Sequence, residues 1–267
     1  VMPVTRADLT YARGKENDPE SGLWSYADRT KEIARPGYYS VPLTRYGITA
    51  ELTATNRVGM HRYTFPASDE AGIVIDLMNG GCWDRPTDTF IEPCADNAVR
   101  GYRFSRGWAD DQKVYFYAEF SKPYNDLNIH SIDYKPYYAK ADFETREGEQ
   151  ILMKVALSPV STENAYENMQ AELPDWDFDK TVTEAENAWN DELRRIRIET
   201  DDDDARKIFY TALYHSMIAP STFSDSDGSY RGADGKSYDS AGHQTYTTFS
   251  LWDTYRGAMP LYSIFQS

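Results

Sequence analysis

The chain has 267 residues, with 43 acidic and 28 basic side chains that give a formal net charge of −15 at pH 7. This excess of acidic residues argues against a nucleic-acid-binding surface, which needs clustered Lys and Arg. No apolar run is long enough to form a membrane-spanning helix. Hydrophobic residues make up 40% of the chain, so we expect a globular protein with one large domain or two smaller ones.

Short segments in which apolar and polar residues alternate dominate the first part of the chain. This period of two is typical of strands with one buried face. Gly, Pro, Asp and Asn residues separate the segments, and no helical periodicity intervenes. Clear alternation occurs at 48–55, 61–65, 114–120 and 151–157, and weaker alternation at 99–105. Residues 73–77 are a short, nearly continuous apolar run, which suits a buried strand. We therefore predict an antiparallel β-sandwich domain over residues 1–174.

The two cysteines, Cys82 and Cys94, leave two interpretations open. They either close a short disulfide across a hairpin or remain free thiols in a core. Because no Cys/His cluster has metal-ligand spacing, we do not expect a structural zinc site.

The hydrophobic period changes after residue 174, where it becomes helical. Apolar side chains recur every three or four positions at Val182, Ala185, Trp189, Leu193 and Ile196. This spacing indicates one apolar stripe of an amphipathic helix. Thr181 followed by Glu184 resembles a capping box at the start of that helix. We predict that residues 175–200 form a linker helix.

A second amphipathic helix follows, with a shared face at Ala205, Ile208, Phe209, Ala212, Leu213 and Ser216. Four aspartates at 201–204 precede this face. At the positive end of a helix dipole each well-placed carboxylate stabilises the helix by about 0.3–1 kcal/mol. We therefore interpret these aspartates as structural rather than metal-binding.

The polar segment 223–235 superficially resembles a calcium-binding loop. It contains Asp225 and Asp227 followed by Gly228, whereas an EF-hand requires three spaced Asp or Asn residues before its Gly and a Glu at the twelfth position. We interpret the segment as a turn-rich loop directed toward a cleft, with Asp225 and Asp227 as the candidate ligands if calcium does bind there.

The most suggestive site residues are Trp252, Asp253, Tyr255 and Arg256. Trp252, Tyr255 and Arg256 could share one helix face, with Asp253 near the helix start. A carboxylate beside an indole and a guanidinium can accept hydrogen bonds from sugar hydroxyls while the ring covers an apolar sugar face. A Trp packed in a helical core, with an Asp–Arg pair at its edge, fits the same spacing. The chain contains no nucleophile elbow, zincin motif, phosphate-binding loop or dinucleotide fingerprint, so carboxylate chemistry remains the leading possibility.

Five motifs occur in a specific order along the chain: Pro-Gly-Tyr-Tyr-Ser-Val at 36–41, Gly-Ile-Thr-Ala-Glu-Leu-Thr-Ala-Thr at 47–55, Arg-Val-Gly-Met-His-Arg-Tyr-Thr-Phe-Pro at 57–66, Gly-Tyr-Arg-Phe-Ser-Arg-Gly-Trp-Ala at 101–109 and Ser-Leu-Trp-Asp-Thr-Tyr-Arg at 250–256. Taken together they resemble glycoside hydrolase family 92, the calcium-dependent exo-acting α-mannosidases. The resemblance extends from about residue 30 to the end of the chain.

This resemblance implies an N-terminal β-sandwich, a helical linker and an (α/α)6 catalytic barrel. It also implies removal of terminal α-linked mannose, of the α-1,2 type, from mannan or N-glycans. The family inverts configuration with a general acid and a general base, and calcium holds the mannose hydroxyls. An extracytoplasmic location (secreted, periplasmic or cell-surface) is the corresponding expectation. The competing hypothesis is a non-catalytic β-sandwich module that binds carbohydrate.

The barrel is expected to be incomplete in this chain. Only residues 201–267 follow the linker helix, whereas twelve helices of about 11–12 residues with short connections need on the order of 200 residues. Both chain ends are interpreted as cuts. We expect the acid, the base and most calcium ligands to lie outside this chain, which alone should be inactive and should need the missing barrel segment or a second chain.

Within the chain, the resemblance assigns Trp252 and Asp253 to the subsite that holds the departing mannose. We expect Asp253 to accept hydrogen bonds from sugar hydroxyls and Arg256 to orient its carboxylate, while Trp252 and Tyr255 shape the pocket wall. No catalytic or metal-binding residue is assigned within the chain.

Overall fold

The computed structural model describes residues 1–7, 14–15, 17–18, 21–79, 83–133, 135–248 and 250–265. Its strands are β1 (Met2–Val4), β2 (Ile33–Arg35), β3 (Tyr38–Leu43), β4 (Ile48–Ala54), β5 (Val58–Phe65), β6 (Ser68–Asp76), β7 (Arg85–Ala95), β8 (Ala98–Arg106), β9 (Gln112–Phe120), β10 (Asp126–Ile132), β11 (Lys135–Thr145), β12 (Glu149–Ser158), β13 (Ser229–Arg231) and β14 (Ser237–Asp239). Its helices are α1 (Thr162–Glu172), α2 (Phe178–Leu193), α3 (Asp203–Ser216), α4 (Leu251–Thr254) and α5 (Ala258–Phe265).

Two antiparallel sheets form the sandwich that the alternating segments predict. The larger sheet has the strand order β2-β3-β4-β5-β12-β9-β8-β7, and the smaller has the order β1-β6-β11-β10. Buried side chains of both sheets form one core. Phe120 of the larger sheet meets Phe143 of the smaller one edge-on, with ring centroids 5.5 Å apart. The predicted β-sandwich is confirmed.

Helices α1 and α2 cover the outer face of the larger sheet. A second buried cluster joins them to that sheet, and its members are Val58, Met60, Ala156, Ala165, Met169, Leu173, Phe178 and Val182. Helix α1 lies at the end of the range 1–174, after the residues with strand periodicity, and the sequence does not predict it. Its buried residues are only Ala165, Asn168 and Met169, and this stripe is too narrow to give a clear helical pattern.

The predicted linker helix exists, but it is shorter than the predicted 175–200, because it ends at Leu193 and leaves Ile196 outside, and its start also differs from the prediction. Helix α2 begins at Phe178, and the carboxylate of Asp177 caps it by accepting from the Lys180 backbone amide at 2.9 Å. Thr181 is inside the first turn, where its hydroxyl donates to the Asp177 carbonyl at 2.8 Å. The capping box at Thr181 and Glu184 is therefore wrong, because Asp177 already satisfies the free amides of the first turn.

The connection between α1 and α2 is held by a buried lysine. The Nζ atom of Lys154 donates to the carbonyls of Leu173 and Pro174 at 3.3 and 3.4 Å. The same ammonium lies 4.1 Å from the ring centroid of Trp176 and 3.5 Å from a Glu119 carboxylate oxygen. A cation next to carbonyls at the C-terminal end of a helix is electrostatically favourable. Lys154 thereby fixes where the chain leaves the sandwich.

Helix α3 has the predicted position, and an aspartate of the preceding acidic segment 201–204 caps its N-terminus. The Asp202 carboxylate accepts from the backbone amides of Asp204 and Ala205 at 2.9 and 3.0 Å, which confirms the structural interpretation of that residue. The segment from α3 to α5 leaves large apolar side chains exposed at Ile208, Ile218, Leu251, Trp252, Tyr255, Met259 and Ile264. These features agree with the predicted first helices of an incomplete barrel.

Two smaller expectations concern the cysteines and the membrane. Cys94 is an exposed free cysteine on β7, whereas Cys82 lies outside the described residues. In the described part of the chain, no helix combines the length and apolar character needed to cross a membrane.

Candidate functional site

The residues assigned to sugar binding lie on and just after the short helix α4. The backbone amide of Asp253 donates to the Ser250 carbonyl at 3.2 Å, and that of Tyr255 donates to Leu251 at 3.0 Å. Trp252 is 86% exposed, and the Asp253 side chain is also exposed. In this structure the indole is not packed in a helical core, and its ring face is available to a ligand.

Arg256 contacts Tyr255 in this structure. Its Nε atom donates to the Tyr255 hydroxyl at 2.7 Å, and its guanidinium carbon lies 5.4 Å from the centroid of the same ring. Among the described residues, no ion pair joins Arg256 to Asp253. The role of Arg256 in orienting the Asp253 carboxylate therefore stays a prediction for the complete site.

A buried polar cluster lies where the loop 223–235 meets the sandwich. We call Ser158, Asn168 and Asp225 the Asp225 cluster. Asp225 is only 2% exposed, and its carboxylate accepts from the Ser158 hydroxyl at 2.6 Å and from the Asn168 amide at 2.7 Å. Burial raises the pKa of Asp225, and these two hydrogen bonds oppose that rise. The cluster connects β12, α1 and the loop.

The second candidate ligand, Asp227, is also engaged by protein donors. Its carboxylate accepts from the Ser229 backbone amide at 2.8 Å, from the Ser229 hydroxyl at 2.6 Å and from the Asn164 amide at 3.0 Å. Burial acts to raise the pKa of Asp227, but the hydrogen bonds from Ser229 and Asn164 outweigh it and lower this pKa.

The two carboxylates bind protein donors in this structure. Calcium takes six to eight oxygen ligands, and the described residues contain no group of three or more His, Cys, Asp or Glu side chains placed to hold a metal ion. Both oxygens of Asp225 accept hydrogen bonds from protein donors. The segment 223–235 is thus an anchored loop in this structure.

A partly buried ion pair makes a second contact between the sandwich and the following segment. Arg57 pairs with Glu172 at the end of α1, and each side chain is 15% exposed. The Glu172 carboxylate also accepts from the Thr55 hydroxyl at 2.6 Å and the Arg57 backbone amide at 2.9 Å. Arg57 Nε reaches the loop and donates to the Ser224 carbonyl at 2.7 Å. One arginine therefore joins the β4–β5 turn, α1 and the loop 223–235.

We predict that Asp225→Ala lowers the free energy of unfolding by about 2–3 kcal/mol, because it leaves the Ser158 and Asn168 donors unpaired in a buried site. Asp225→Asn is the matched control and should cost less, since its amide oxygen can still accept one of the two hydrogen bonds. Urea unfolding of the chain and its two variants measures these differences. Equal losses for the alanine and asparagine variants would contradict this role of Asp225.

The pH dependence of the same variants follows from the raised pKa. Because the folded-state pKa of Asp225 lies above its unfolded value of 3.8, the unfolded state ionises first as the pH rises. Relative to Asp225→Asn, the wild type should lose stability from about pH 4 upward until the folded-state pKa of Asp225 is passed. A stability gap between wild type and Asp225→Asn that widens with rising pH would contradict the direction of the shift.

Comparisons with known proteins cover both parts of the chain. The family model for the glycosyl hydrolase family 92 N-terminal domain matches residues 1–158, and the model for the family 92 catalytic domain matches residues 164–267.

Solved structures and a curated relative agree with these matches. A family GH92 alpha-mannosidase from Bacteroides thetaiotaomicron is 35% identical, with a TM-score of 0.91 over 98% of this chain and 37% of that one. That protein has also been solved in complex with mannoimidazole. A family GH92 inverting mannosidase from the same organism is 24% identical and shares the fold, with a TM-score of 0.82 over 98% of this chain and 35% of that one.

The curated relative is an uncharacterized secreted glycosidase from Arthroderma benhamiae. It is 25% identical over 84% of this chain and 33% of its own length. The chain therefore spans about a third of the length of the relatives that it matches.

Proposed function

Because the chain belongs to glycoside hydrolase family 92, we propose that the intact protein is an α-mannosidase that removes terminal α-linked mannose from glycans. The observation that carries this proposal is the 35% identity and the TM-score of 0.91 to a GH92 alpha-mannosidase over 98% of the chain. The complex of that enzyme with mannoimidazole supports a mannoside as the substrate class. The catalytic-domain match over residues 164–267 favours an enzyme over a purely carbohydrate-binding module.

The proposed mechanism is inverting hydrolysis of α-1,2-type linkages in mannan or N-glycans. Inversion needs a general acid and a general base about 6.5–9.5 Å apart, which leaves room for a water on the opposite face of the sugar. We place both carboxylates in the barrel segments that this chain does not contain. The exposed apolar side chains of α3 and α5, such as Ile208 and Ile264, support further barrel helices that pack against them in the intact protein.

The contribution of this chain to the site is sugar binding by the α4 segment. Asp253 would accept hydrogen bonds from sugar hydroxyls, and the exposed Trp252 ring would cover an apolar face of the sugar. Tyr255 would form part of the pocket wall. Arg256, which contacts the Tyr255 hydroxyl in this structure, would turn toward Asp253 when the pocket is complete.

We also propose an extracytoplasmic location for the intact protein. The name of the Arthroderma benhamiae relative, a secreted glycosidase, supports it. A polysaccharide such as mannan is too large to enter a cell intact, so an enzyme that acts on it must meet it outside. Detection of the enzyme in the periplasm, cell-surface fraction or culture medium tests this location.

The activity itself is tested with the intact protein and α-1,2-mannobiose, and proton NMR follows the first mannose anomer that forms. We expect β-mannose first, because inversion of an α-linkage gives the β-anomer. Parallel reactions with α-1,3- and α-1,6-mannobiose test the proposed linkage. First appearance of α-mannose would contradict inversion, and absence of mannose from every substrate would contradict the proposed function.

We predict that chelation of calcium by EGTA lowers kcat/KM of the intact protein on an α-mannoside at least ~100-fold, because a cation that holds the substrate contributes several kcal/mol. Added calcium should restore the rate. Added magnesium should not, since Mg²⁺ demands a smaller octahedral site. Undiminished activity after chelation would contradict the calcium requirement.

The same proposal predicts only weak calcium binding by this 267-residue chain, because Asp225 and Asp227 are engaged by protein donors. Calorimetry of the chain measures it directly. Micromolar affinity would instead make Asp225 and Asp227 the leading ligands.

A further inference from the structure

Two exposed indoles lie at one end of the larger sheet, far along the chain from α4. Trp83 is 69% exposed and Trp108 is 87% exposed. Trp83 precedes β7 and Trp108 follows β8, and these strands pair with Arg85 opposite Arg106 at this end. Large apolar side chains this exposed are unusual for a folded surface when two occur together. A binding role would account for them.

The two segments that carry these tryptophans are in close backbone contact. A Cβ atom at Gly107 would lie only 2.8 Å from the Asp84 Cβ and 3.0 Å from its Cα, so the Gly107 backbone packs directly against Asp84. Trp83 is the chain neighbour of Asp84, and Trp108 is the chain neighbour of Gly107. The two indoles are therefore carried by touching segments.

A rigid base supports this pair of segments. The Asp84 carboxylate pairs with Arg103 at 2.6 Å, and the two side chains are largely buried. Arg103 Nε also donates to the Leu77 carbonyl at 2.9 Å. The hydrogen bond from Arg103 lowers the pKa of Asp84 and keeps it ionised. These contacts of Asp84 and Arg103 hold the backbone next to the indoles in place without a ligand, so less conformational entropy is lost when a ligand binds.

The surroundings of the indoles are polar and charged. Arg85, Arg106, Asp110 and Asp111 are all exposed there, and Arg106 pairs with Asp110 at 3.0 Å. A stable protein interface needs a core depleted of charged residues, which this rim does not provide. Flat aromatic faces with hydrogen-bonding groups at their edge match the chemistry of sugars, whose apolar C–H faces pack on a ring while their hydroxyls bond to polar neighbours.

We propose that Trp83 and Trp108 form an auxiliary glycan-binding site on the β-sandwich, which takes neutral sugar units of a polymeric mannan. The choice of mannan as the ligand rests on the proposed function. The site itself rests on the exposure of the two indoles and on the contact between the segments that carry them. Such a site would hold the polymer on the enzyme between successive cleavages at its end, and so raise the rate on a polymer more than the rate on a small mannoside.

The test uses affinity electrophoresis of the intact protein in native gels with and without soluble α-mannan. We expect mannan to retard the wild type, and we expect Trp83→Ala/Trp108→Ala to weaken binding at least about tenfold, as for a central Trp contact. Tyr166→Ala is the matched control, because it removes another exposed aromatic ring that lies on α1. The ratio of kcat/KM on mannan to kcat/KM on an aryl α-mannoside should fall with the double variant and not with the control.

Three results would overturn the proposed glycan-binding site. Retardation of the double variant equal to that of the wild type, or no retardation of the wild type, would exclude a glycan site at the two indoles. A melting temperature lowered by several degrees in the double variant would show that the indoles are packed against other segments of the intact protein. The two assays test the two proposals separately. If the wild type does not hydrolyse an aryl α-mannoside, the proposed mannosidase function is contradicted. The gel measures only whether mannan binds at Trp83 and Trp108.

Discussion

Asp253→Ala in the intact protein is expected to lower kcat/KM for an α-mannoside at least ~100-fold, with thermal unfolding close to that of the wild type. The expected loss corresponds to about 2.7 kcal/mol of transition-state stabilisation. It arises because a site built to hydrogen-bond a sugar hydroxyl is left with unpaired groups when its acceptor is removed. The fold should survive, because the Asp253 side chain is exposed in this structure and none of the residues of α4 is buried.

The matched control for Asp253→Ala is Asp203→Ala, which removes another exposed carboxylate from the first turn of a helix. Asp203 pairs with Arg206 at 2.9 Å on the surface of α3, and we expect wild-type kinetics for this variant. Two results would contradict the role of Asp253. One is a stable Asp253→Ala protein with wild-type kinetics, and the other is an unstable one whose folded fraction keeps its activity.

Glu172→Ala is expected to lower the free energy of unfolding of the chain by about 2 kcal/mol, since it removes several hydrogen bonds to a charged group and leaves the partly buried Arg57 without its ion-pair partner. The variant also removes the acceptor of the Thr55 hydroxyl and of the Arg57 backbone amide. Arg57 would keep only its contacts with the carbonyls of the loop 223–235. Chemical denaturation of the chain measures the loss.

The matched control is Glu163→Ala on the same helix. Glu163 pairs with Arg100 at 3.2 Å in an exposed position, and exposed pairs contribute at most about 1 kcal/mol. We therefore expect a much smaller effect than for Glu172→Ala. Similar stability losses in the two variants would contradict the idea that the Arg57–Glu172 pair joins the sandwich to α1.

The sequence predicts the sandwich because six of its twelve described strands carry an alternating or apolar signal of their own, whereas the other six, β1, β2, β3, β7, β10 and β11, match no predicted segment. Alternation at 48–55 and 61–65 reflects strands β4 and β5, which have one face in the core. Helix α1 escapes the same reasoning because its buried face includes the polar Asn168. The start of α2 is misplaced because several polar residues near 177–184 are acceptable caps, and only the three-dimensional structure shows which one is used.

The contacts of the Asp225 cluster could not be predicted from sequence. Asp225 finds its partners at Ser158 and Asn168, which are 67 and 57 positions away, and no local pattern encodes such pairings. The spacing of Asp225 and Asp227 resembles a calcium loop, yet the fold directs both carboxylates to protein donors. The family motif at 250–256 predicts Trp252 and Asp253 as site residues. No pattern in the sequence predicts that Trp83 and Trp108 are exposed.

The most direct test of the proposed function is hydrolysis of an aryl α-mannoside by the intact protein, compared with the matching aryl α-glucoside under the same conditions. The two substrates differ in the configuration of one hydroxyl, so a site built for mannose discriminates between them through its hydrogen bonds. We predict release of the aryl group from the mannoside with a kcat/KM at least ~100-fold above that for the glucoside. Equal rates on both substrates, or turnover of the glucoside alone, would contradict the assignment of this protein as an α-mannosidase.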